Sequence, residues 1–399
     1  MPQSKKASSG MGSIRKITRE VNGKTYTYYE ARYTAGFDPG TGKQIQRSIS
    51  GKTQKEVAQK LKAALAALDS GTYIAPCKMT VAEWLNVWAD QYLGGVKEST
   101  VAAYNATIRT HIKPGLGAIR MDAQDTHLVQ SFYNGLREPT KDRAAVSPKT
   151  VKNVHGILHK ALQQAVANGY IRFNPTNSCI LPRIEKKELQ PLDEAETKLF
   201  LDAVKGHPLE LLYTITLFTG LREGEALGLT WDRVDFIRGT ILISKQLQKE
   251  KKAGGQFRLV SLKNDKPRRI QPAPWVMQLL RDRKLQQYEH KEKAGAAWSN
   301  PLNLVFTNEL GGNLIPQTVV RHFKEIVTAI GRPDARFHDL RHSYAVASLR
   351  SGDDIKTVQG NLGHATAAFT LDVYGHVTNQ MQEASAVRME AYIKGILEL

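Results

Sequence analysis

Two arginines, two histidines and a tyrosine have side chains that could together break a phosphodiester bond. Arg222 lies in a Thr-Gly-Leu-Arg-Glu-Gly-Glu segment, His338 and Arg341 are three residues apart, His364 follows Leu-Gly, and Tyr374 comes ten residues later. A phosphodiester resists attack because its oxygens are anionic and its leaving alkoxide is poor. Arginine binds two phosphate oxygens at once, histidine moves protons, and a tyrosine hydroxyl can serve as the nucleophile.

The sequence lacks the patterns that usually hold a catalytic metal or a nucleotide. Carboxylate clusters of the DxD or DDE kind, HExxH and the Walker A spacing are absent. The two cysteines, Cys77 and Cys179, have no CxxC partner, so we expect neither a disulfide nor a zinc site. The sequence therefore predicts an enzyme that uses no metal and no cofactor.

The charge of the chain predicts a polyanionic partner. Its 399 residues carry 56 Lys and Arg against 38 Asp and Glu, a net charge of +18. Residues 1–72 hold 13 basic and 5 acidic residues, and residues 80–186 hold 13 and 8. A basic surface kept for solubility is the alternative, but this concentration in the first half favours dedicated DNA-binding modules. With no apolar stretch of about 18 residues and no signal peptide, we expect a cytoplasmic protein without a membrane contact.

The N-terminal region reads as a small sheet backed by a helix. Three β-like runs at residues 14–19, 24–34 and 44–50 are separated by turn sequences, which predicts a three-stranded meander. Thr53 and Glu56 form a capping box that predicts a helix to about Leu68. We therefore predict a first domain at 1–72, followed by a linker at 73–79.

The next region, residues 80–175, reads as an all-helical block. Thr80 and Ser147 are predicted to cap its first and last helices, Ser99 the second, and Pro114 to break that second helix. A further helix is predicted at residues 128–136.

A charged connector at 176–190 leads to the last and largest domain, 191–399. Helices alternate there with one small β region at residues 240–244, 257–262 and 269–271. The fold class predicted for the chain is multidomain and mainly α with small β-sheets. It comprises an N-terminal three-stranded sheet plus helix, a helical domain and a mixed α/β domain.

Taken in order, these segments resemble the catalytic motifs of the tyrosine recombinases, or phage-type integrases. The matching residues are Thr219-Gly220-Leu221-Arg222-Glu223-Gly224-Glu225, His338-Asp339-Leu340-Arg341-His342, Leu362-Gly363-His364 and Tyr374. The N-terminal sheet and helix are similar to the arm-binding domain of integrases from conjugative transposons and temperate phages, and the helical block to their core-binding domain. The resemblance implies a site-specific recombinase that integrates and excises a mobile element.

The resemblance also implies a role for each residue. Tyr374 would attack the scissile phosphate and form a 3′-phosphotyrosyl link, Arg222 and Arg341 would hold the non-bridging oxygens, and His338 and His364 would donate hydrogen bonds and help to move protons. Rejoining would need no ATP, since the covalent link retains the free energy of the phosphodiester.

The family uses a lysine on a β-hairpin as general acid, and here two lysines compete. Lys263 lies at the expected position, and Lys266 is the alternative. Glu225 matches an acidic position of the first motif, which we interpret as a support for that region, with a solvated helix glutamate as the alternative.

The partners implied by the resemblance are double-stranded DNA at core and arm-type sites, a homotetramer on that DNA and an accessory DNA-bending or excision factor. Arg15, Arg32 and Arg47 are candidate base-reading residues of the N-terminal sheet by position, or solvated strand charges. Residues 380–399 carry apolar residues at helical spacing. This tail either packs on its own domain or docks on a neighbouring protomer.

Two other functions compatible with these motifs are a type IB topoisomerase and a non-catalytic DNA-binding regulator. The topoisomerase shares the chemistry but relaxes supercoils without recombining. The basic N-terminal module and the tail favour recombination, and the presence of all six candidate catalytic residues disfavours the regulator.

Overall fold

The computed structural model describes residues 13–21, 24–37, 40–71, 73, 77–141, 143–185, 190–250, 255–262, 266–364, 366 and 378–397. The chain divides into two compact units, Met1–Lys186 and Lys187–Leu399. Helices dominate both, with small antiparallel sheets, which confirms the predicted fold class. No helix among the described residues is long and apolar enough to cross a bilayer.

The first unit begins with the predicted three-stranded meander. Strands β1 (Ile14–Val21), β2 (Lys24–Phe37) and β3 (Gln44–Gly51) pair antiparallel in the order β1-β2-β3. Helix α1 (Gln54–Asp69) starts at Thr53, whose hydroxyl accepts from the Glu56 amide as the capping pattern predicted. The two layers bury a small core of Ala31, Tyr33, Val57 and Leu61.

A helical block follows within the same unit. Its helices are α2 (Val81–Gln91), α3 (Glu98–Thr107), α4 (Lys113–Leu116), α5 (Thr126–Arg137) and α6 (Pro148–Ala167), with a 3-10 turn at Met121–Ala123. The predicted caps Thr80 and Ser147 both accept from the amide three residues on. The apolar faces of these helices meet around the fully buried Trp84, whose indole N–H donates to the Ala161 carbonyl.

The predicted break at Pro114 and the cap at Ser99 were wrong. Helix α3 starts directly after its N-cap Lys97, a π-turn at Ile108–Ile112 follows it, and α4 runs through Pro114 until Gly117. A proline ring clashes with the carbonyl four residues earlier in a regular α-helix. The wider π-turn just before Pro114 removes that conflict, so the chain stays helical.

The second unit mixes helices with short strands. Its helices are α7 (Glu194–Val204), α8 (Glu210–Thr219), α9 (Glu223–Leu227), α10 (Pro274–Ala294), α11 (Pro316–Ala329), α12 (Asp339–Arg350), α13 (Ile355–Leu362) and α14 (Thr378–Leu397). Its strands are β4 (Val234–Asp235), β5 (Thr240–Ile243), β6 (Lys245–Lys249), β7 (Phe257–Ser261) and β8 (Arg268–Ile270).

These strands form two sheets where the sequence predicted one β region. The order β4-β5-β8 makes one sheet, and β6 pairs with β7 in a separate ribbon. Strand β6 reads Lys-Gln-Leu-Gln-Lys and buries only Leu247, so its polar sequence gave no strand signal. Residues 262–267, here called the crossing segment, connect β7 of the ribbon to β8 of the sheet.

Candidate active site

Arg341 is the most deeply placed of the candidate residues. It lies in the first turn of α12 and is 1% exposed. Its Nη1 donates to the Gly220 carbonyl at 2.7 Å and its Nη2 to the Leu362 carbonyl at 2.5 Å. The guanidinium is therefore fixed between the end of α8 and the end of α13, which removes most of its conformational freedom before any ligand binds.

Glycine at position 220 makes this contact possible. Gly220 ends α8 with φ +63°, a left-handed conformation that side chains rarely adopt. A Cβ there would lie 2.5 Å from the Tyr344 ring and 2.7 Å from a Leu362 methyl. The sequence Thr-Gly-Leu-Arg thus ends one helix and places Arg222 two residues later.

Arg222 is the N-cap of the short helix α9. Its amide donates to Glu225 Oε2 at 3.0 Å and its Nη1 to Glu225 Oε1 at 2.7 Å. Its Nη2 approaches the Gly363 carbonyl at 3.4 Å, and a third of the side chain is exposed. Because Arg341 binds the preceding carbonyl, the two arginines converge on one short stretch, residues 361–364, here called the α13 turn.

His364 ends the α13 turn. Gly363 ends α13 with φ +65°, and the His364 amide donates back to the Gln359 carbonyl at 3.1 Å. Desolvation and then the positive charges of Arg341 and Arg222 lower the pKa of His364 to about 3. Its imidazole is neutral at physiological pH and half-buried beside both arginines.

His338 precedes α12, and its pKa is lowered by desolvation and by Arg341 and Arg222. His342 packs edge-to-face on His338 with ring centroids 4.9 Å apart. A separation of four residues brings the two rings onto one side of α12. Burial and His338 lower the pKa of His342 to about 4, so this ring is also neutral.

Glu225 is buried, which supports the interpretation of this carboxylate as a structural support rather than a solvated helix residue. Arg222 and Arg268 both bind it, Arg268 with Nη1 at 3.1 Å and Nη2 at 2.6 Å. Burial alone would raise the pKa of Glu225, but the hydrogen bond and charge of Arg268, with those of Arg222, lower it to about 2.

Sequence reasoning missed Arg268. Its side chain is 9% exposed, and its Nε donates to the Asn361 carbonyl at 2.7 Å. The only signal available was indirect, because an acidic residue predicted to support a core position needs a buried cation. Nothing in the sequence says which of the nearby basic residues supplies it.

Two of the predicted catalytic residues, Lys263 and Tyr374, lie outside the described residues. Lys266, the alternative to Lys263, is exposed. The strands that flank the crossing segment pair with different partners, β7 with β6 and β8 with β5. Among the described residues, β7 and β8 therefore belong to different sheets and do not pair with each other.

The described part of the site is a set of fixed donors without a carboxylate ligand group. Arg222 and Arg341 converge on the α13 turn, which ends at the neutral His364, and the buried carboxylate of Glu225 already binds two arginines. Within the described residues, no group of three or more His, Cys, Asp or Glu is placed to hold a metal ion. Such an arrangement can bind and stabilise an oxyanion with more than one negatively charged oxygen.

The three arginines proposed for the N-terminal sheet do not share one face. Ala31 and Tyr33 of β2 pack towards α1, so Arg32 between them points away. Paired residues in an antiparallel ladder project to the same side, and Arg15 pairs with Glu30 whereas Arg47 pairs with Tyr33. Arg15 and Arg32 thus lie on the face opposite α1, here called the open face, and Arg47 lies on the α1 side.

Comparison with known families gives two matches. The family described as "Phage integrase family" matches residues 185–381, and "Phage integrase, N-terminal SAM-like domain" matches residues 80–137. A curated tyrosine recombinase XerC-like protein of Caldanaerobacter subterraneus is 28% identical, over 92% of this chain and 96% of its own length. The ICEBs1 integrase of Bacillus subtilis is 25% identical, over 91% and 96%.

Solved structures have the same fold. The Tn1549 transposon integrase, solved in complex with a circular intermediate DNA, superposes with a TM-score of 0.66 at 22% identity, covering 78% of this chain and 99% of that one. A lambda integrase dimer bound to a core site superposes with a TM-score of 0.52 at 20% identity, covering 90% and 95%.

Proposed function

The chain belongs to the phage integrase family of tyrosine recombinases, and we propose that it cleaves DNA with Tyr374 as the nucleophile. It is a site-specific DNA recombinase, an enzyme that cleaves and rejoins DNA strands. The observation that carries the residue assignment is the convergence of Arg222 and Arg341 on consecutive carbonyls of the α13 turn.

In the proposed reaction, the Tyr374 hydroxyl oxygen attacks the scissile phosphorus and the bond from phosphorus to the 5′-oxygen breaks. The phosphate stays on the 3′ end as a phosphotyrosyl ester. Arg222 and Arg341 bind the non-bridging oxygens, whose negative charge grows in the transition state. Because the Arg341 guanidinium is already held by two carbonyls, it needs little reorganisation when that charge develops.

Two protons must move. The tyrosine loses one as it attacks, and an ordinary tyrosine pKa of about 10 leaves it protonated at neutral pH. His338 and His364 each keep an unprotonated ring nitrogen that can accept this proton or a hydrogen bond, because their lowered pKa values favour the neutral ring. Lys263 donates a proton to the leaving 5′-oxygen. The free 5′-hydroxyl of the partner strand then reverses the sequence and releases Tyr374.

Double-stranded DNA is the substrate, and we propose that three modules hold it. Residues 1–72 bind arm-type sites through the open face, residues 80–175 bind the core site, and residues 191–399 carry out the reaction, with connectors at 73–79 and 176–190. The surplus of basic residues in the first two modules supports this division, because phosphate contacts dominate affinity for DNA.

We further propose that four protomers assemble on two DNA sites. A lambda integrase tetramer bound to a Holliday junction shares the fold with a TM-score of 0.51. In this chain α14 exposes large apolar side chains, among them Val387, Tyr392 and Ile396 at 61–70%. Such a helix gains stability by docking on a neighbouring protomer.

The proposed setting is the cytoplasm of a bacterium, where the enzyme integrates and excises a conjugative element with the help of an accessory DNA-bending or excision factor. The ICEBs1 and Tn1549 integrases, named for such elements, support the setting.

The nucleophile is tested by trapping the covalent adduct on a nicked suicide substrate. We expect wild type and Tyr288→Phe, a matched change at an exposed tyrosine of α10, to form the adduct. Tyr374→Phe should bind the DNA with unchanged affinity and form none. An adduct of normal yield with Tyr374→Phe would refute the assignment.

The general acid is tested with a 5′-bridging phosphorothiolate, whose thiolate leaves without a proton. Lys263→Ala should cleave normal DNA slowly and the sulfur substrate at nearly the wild-type rate, and Lys266→Ala should cleave both normally. The reverse pattern would assign the proton to Lys266.

Recombination is separated from a topoisomerase by relaxation of a plasmid without attachment sites. We expect no relaxation of that plasmid and strand exchange only between plasmids that carry the element's junctions. Removal of residues 380–399 should leave cleavage at a single site and abolish the exchange, whereas unchanged tetramer assembly would contradict the role of α14.

A further inference from the structure

Arg268 joins three parts of the second unit with one side chain. Its Nη1 and Nη2 bind the two oxygens of Glu225, the residue that also holds Arg222. Its Nε binds the carbonyl of Asn361, the first residue of the α13 turn. Its own backbone belongs to β8, directly after the crossing segment. A planar guanidinium that uses both edges in this way fixes the distance between its partners.

The packing around this side chain leaves little room for another arrangement. A Cβ added to Gly363 would lie 3.0 Å from Arg268 Cδ, so the α13 turn rests on the arginine stem. Gly363 also adopts φ +65°, a left-handed conformation that favours glycine directly before His364. A shift of Arg268 would therefore move the turn that both candidate phosphate-binding arginines contact.

The other end of the crossing segment is held by the same first motif. Strand β6 packs on α9, where a Cβ added to Gly228 would lie 2.5 Å from the Leu247 amide nitrogen. Lys263 thus follows, in chain order, a ribbon packed on α9 and precedes a strand whose Arg268 binds Glu225 of α9. The ribbon before Lys263 and the strand after it therefore both contact the short helix α9.

We infer that Arg268 is a positioning residue of the cleavage site, which holds Arg222 and the α13 turn in register with each other. This inference rests on the proposed function of those groups. Arg268 itself touches no reacting atom. It acts through Glu225 and through the Asn361 carbonyl, so its loss should slow cleavage without weakening DNA binding.

The charge state of Glu225 supports the same positioning role for Arg268. Glu225 is 2% exposed, and Arg268 is the main favourable influence on its ionised form, so its carboxylate stays charged throughout the working pH range. Without Arg268 the buried carboxylate keeps only Arg222, and its pKa rises. Protonation of Glu225 would then release Arg222 as the pH falls.

The experiment compares Arg268→Gln and Arg268→Lys with Arg269→Gln in the full-length protein. Arg269 is the matched control, since it lies next in β8 but is exposed and binds the Thr240 hydroxyl at 3.0 Å. Single-turnover cleavage of suicide DNA is measured at saturating protein between pH 5.5 and 8.5, with DNA affinity and melting temperature recorded for each variant.

We expect Arg268→Gln to cleave about 100-fold more slowly at pH 7.5, as small misplacements of catalytic groups do. The deficit should grow towards pH 5.5, because Glu225 then takes up a proton. Arg268→Lys keeps the charge but loses the two-pronged contact, so it should lose about 10-fold with a wild-type pH profile. Arg269→Gln should cleave like wild type, and all three should bind DNA equally.

Two results would overturn the inference. One is Arg268→Gln cleaving at the Arg269→Gln rate. The other is a deficit that is the same at every pH and equal in both Arg268 variants, which would indicate a loss of folded protein. Failure of the proposed function looks different, since Tyr374→Phe would then still form an adduct whatever Arg268 does.

Discussion

Arginine serves two different purposes in the two units of this chain. On the open face of the N-terminal sheet, Arg15 and Arg32 are exposed, and the nearest acid to Arg32 is Glu30 at 3.7 Å. In the second unit, Arg341 is 1% exposed and binds two backbone carbonyls. The exposed side chains can follow a flexible polyanion, whereas Arg341 is held in place before the substrate arrives.

In the proposed function, this difference separates affinity for DNA from catalysis of strand cleavage. An exposed arginine loses side-chain conformational freedom with each contact that it makes, and salt screens its charge. A buried arginine costs more to desolvate, but it meets a developing charge without reorganising. Substitutions in the two regions should therefore change different measured quantities.

The largest effect should come from Arg341→Gln. We expect cleavage to fall at least about 10³-fold, as loss of a fixed oxyanion donor does. The Gly220 and Leu362 carbonyls would also lose their donors, which costs about 1–3 kcal/mol each in a buried site. Suicide-substrate cleavage and calorimetry measure the two losses. A stable variant with normal cleavage would contradict the proposed role.

Arg222→Gln allows a comparison of two arginines within the site, because a third of the Arg222 side chain is exposed whereas Arg341 is buried. Cleavage should fall about 10²–10³-fold, while the melting temperature should change much less than in Arg341→Gln. The same two assays apply. A melting temperature that drops as far as in Arg341→Gln would show that Arg222 is also mainly structural.

Acid should destabilise the second unit more than the first. The pKa values of His364 and His342, about 3 and about 4, lie below the ordinary value of about 6.5. The unfolded chain therefore binds more protons from about pH 3 to 6.5, and stability rises with pH across that window. The low pKa of Glu225 adds to this slope only below about pH 5, because both states keep the carboxylate ionised above that pH.

We expect the melting temperature of the second unit to be about 4 °C lower at pH 5 than at pH 7.5. Calorimetry of wild type and His364→Ala measures this difference in melting temperature. The control is His127→Gln, a change at an exposed histidine of α5. The pH dependence should weaken in His364→Ala and persist in His127→Gln. Equal pH dependence in all three would refute the assignment to His364.

The smallest effects should be those of the N-terminal arginines. Arg15→Ala and Arg32→Ala should each weaken binding to arm-site DNA about 3-fold and reduce the salt slope by about one. Arg47→Ala, on the α1 side of the sheet, should change neither. Titrations at several salt concentrations test this, and an Arg47→Ala effect as large as that of Arg32→Ala would show that DNA reaches both faces.

Local signals in the sequence predicted much of the fold. The N-caps Thr53, Thr80 and Ser147 begin helices as expected, because a cap depends on residues within one turn. The meander followed from alternating strands and turn sequences. The path through Pro114 was not predictable, since it depends on a π-turn that no residue type specifies.

Long-range contacts account for what the sequence did not predict in the site. Arg222, His338, Arg341 and His364 are brought together from motifs that could be identified one by one. Arg268 binds Glu225 across 43 residues and Asn361 across 93, and periodicity carries no information on such pairs. The division of the strands between two sheets likewise depends on the partners that each strand finds.

The path of the crossing segment has a consequence for engineering the enzyme. A loop that closes a single ribbon, such as the one between β6 and β7, can gain residues at little entropic cost, because its two ends stay paired. The crossing segment joins β7 and β8, which belong to different sheets, so an added residue changes the distance of Lys263 along the chain from one of these strands. Insertion libraries should therefore retain recombination at residues 250–256 and lose it at residues 262–267.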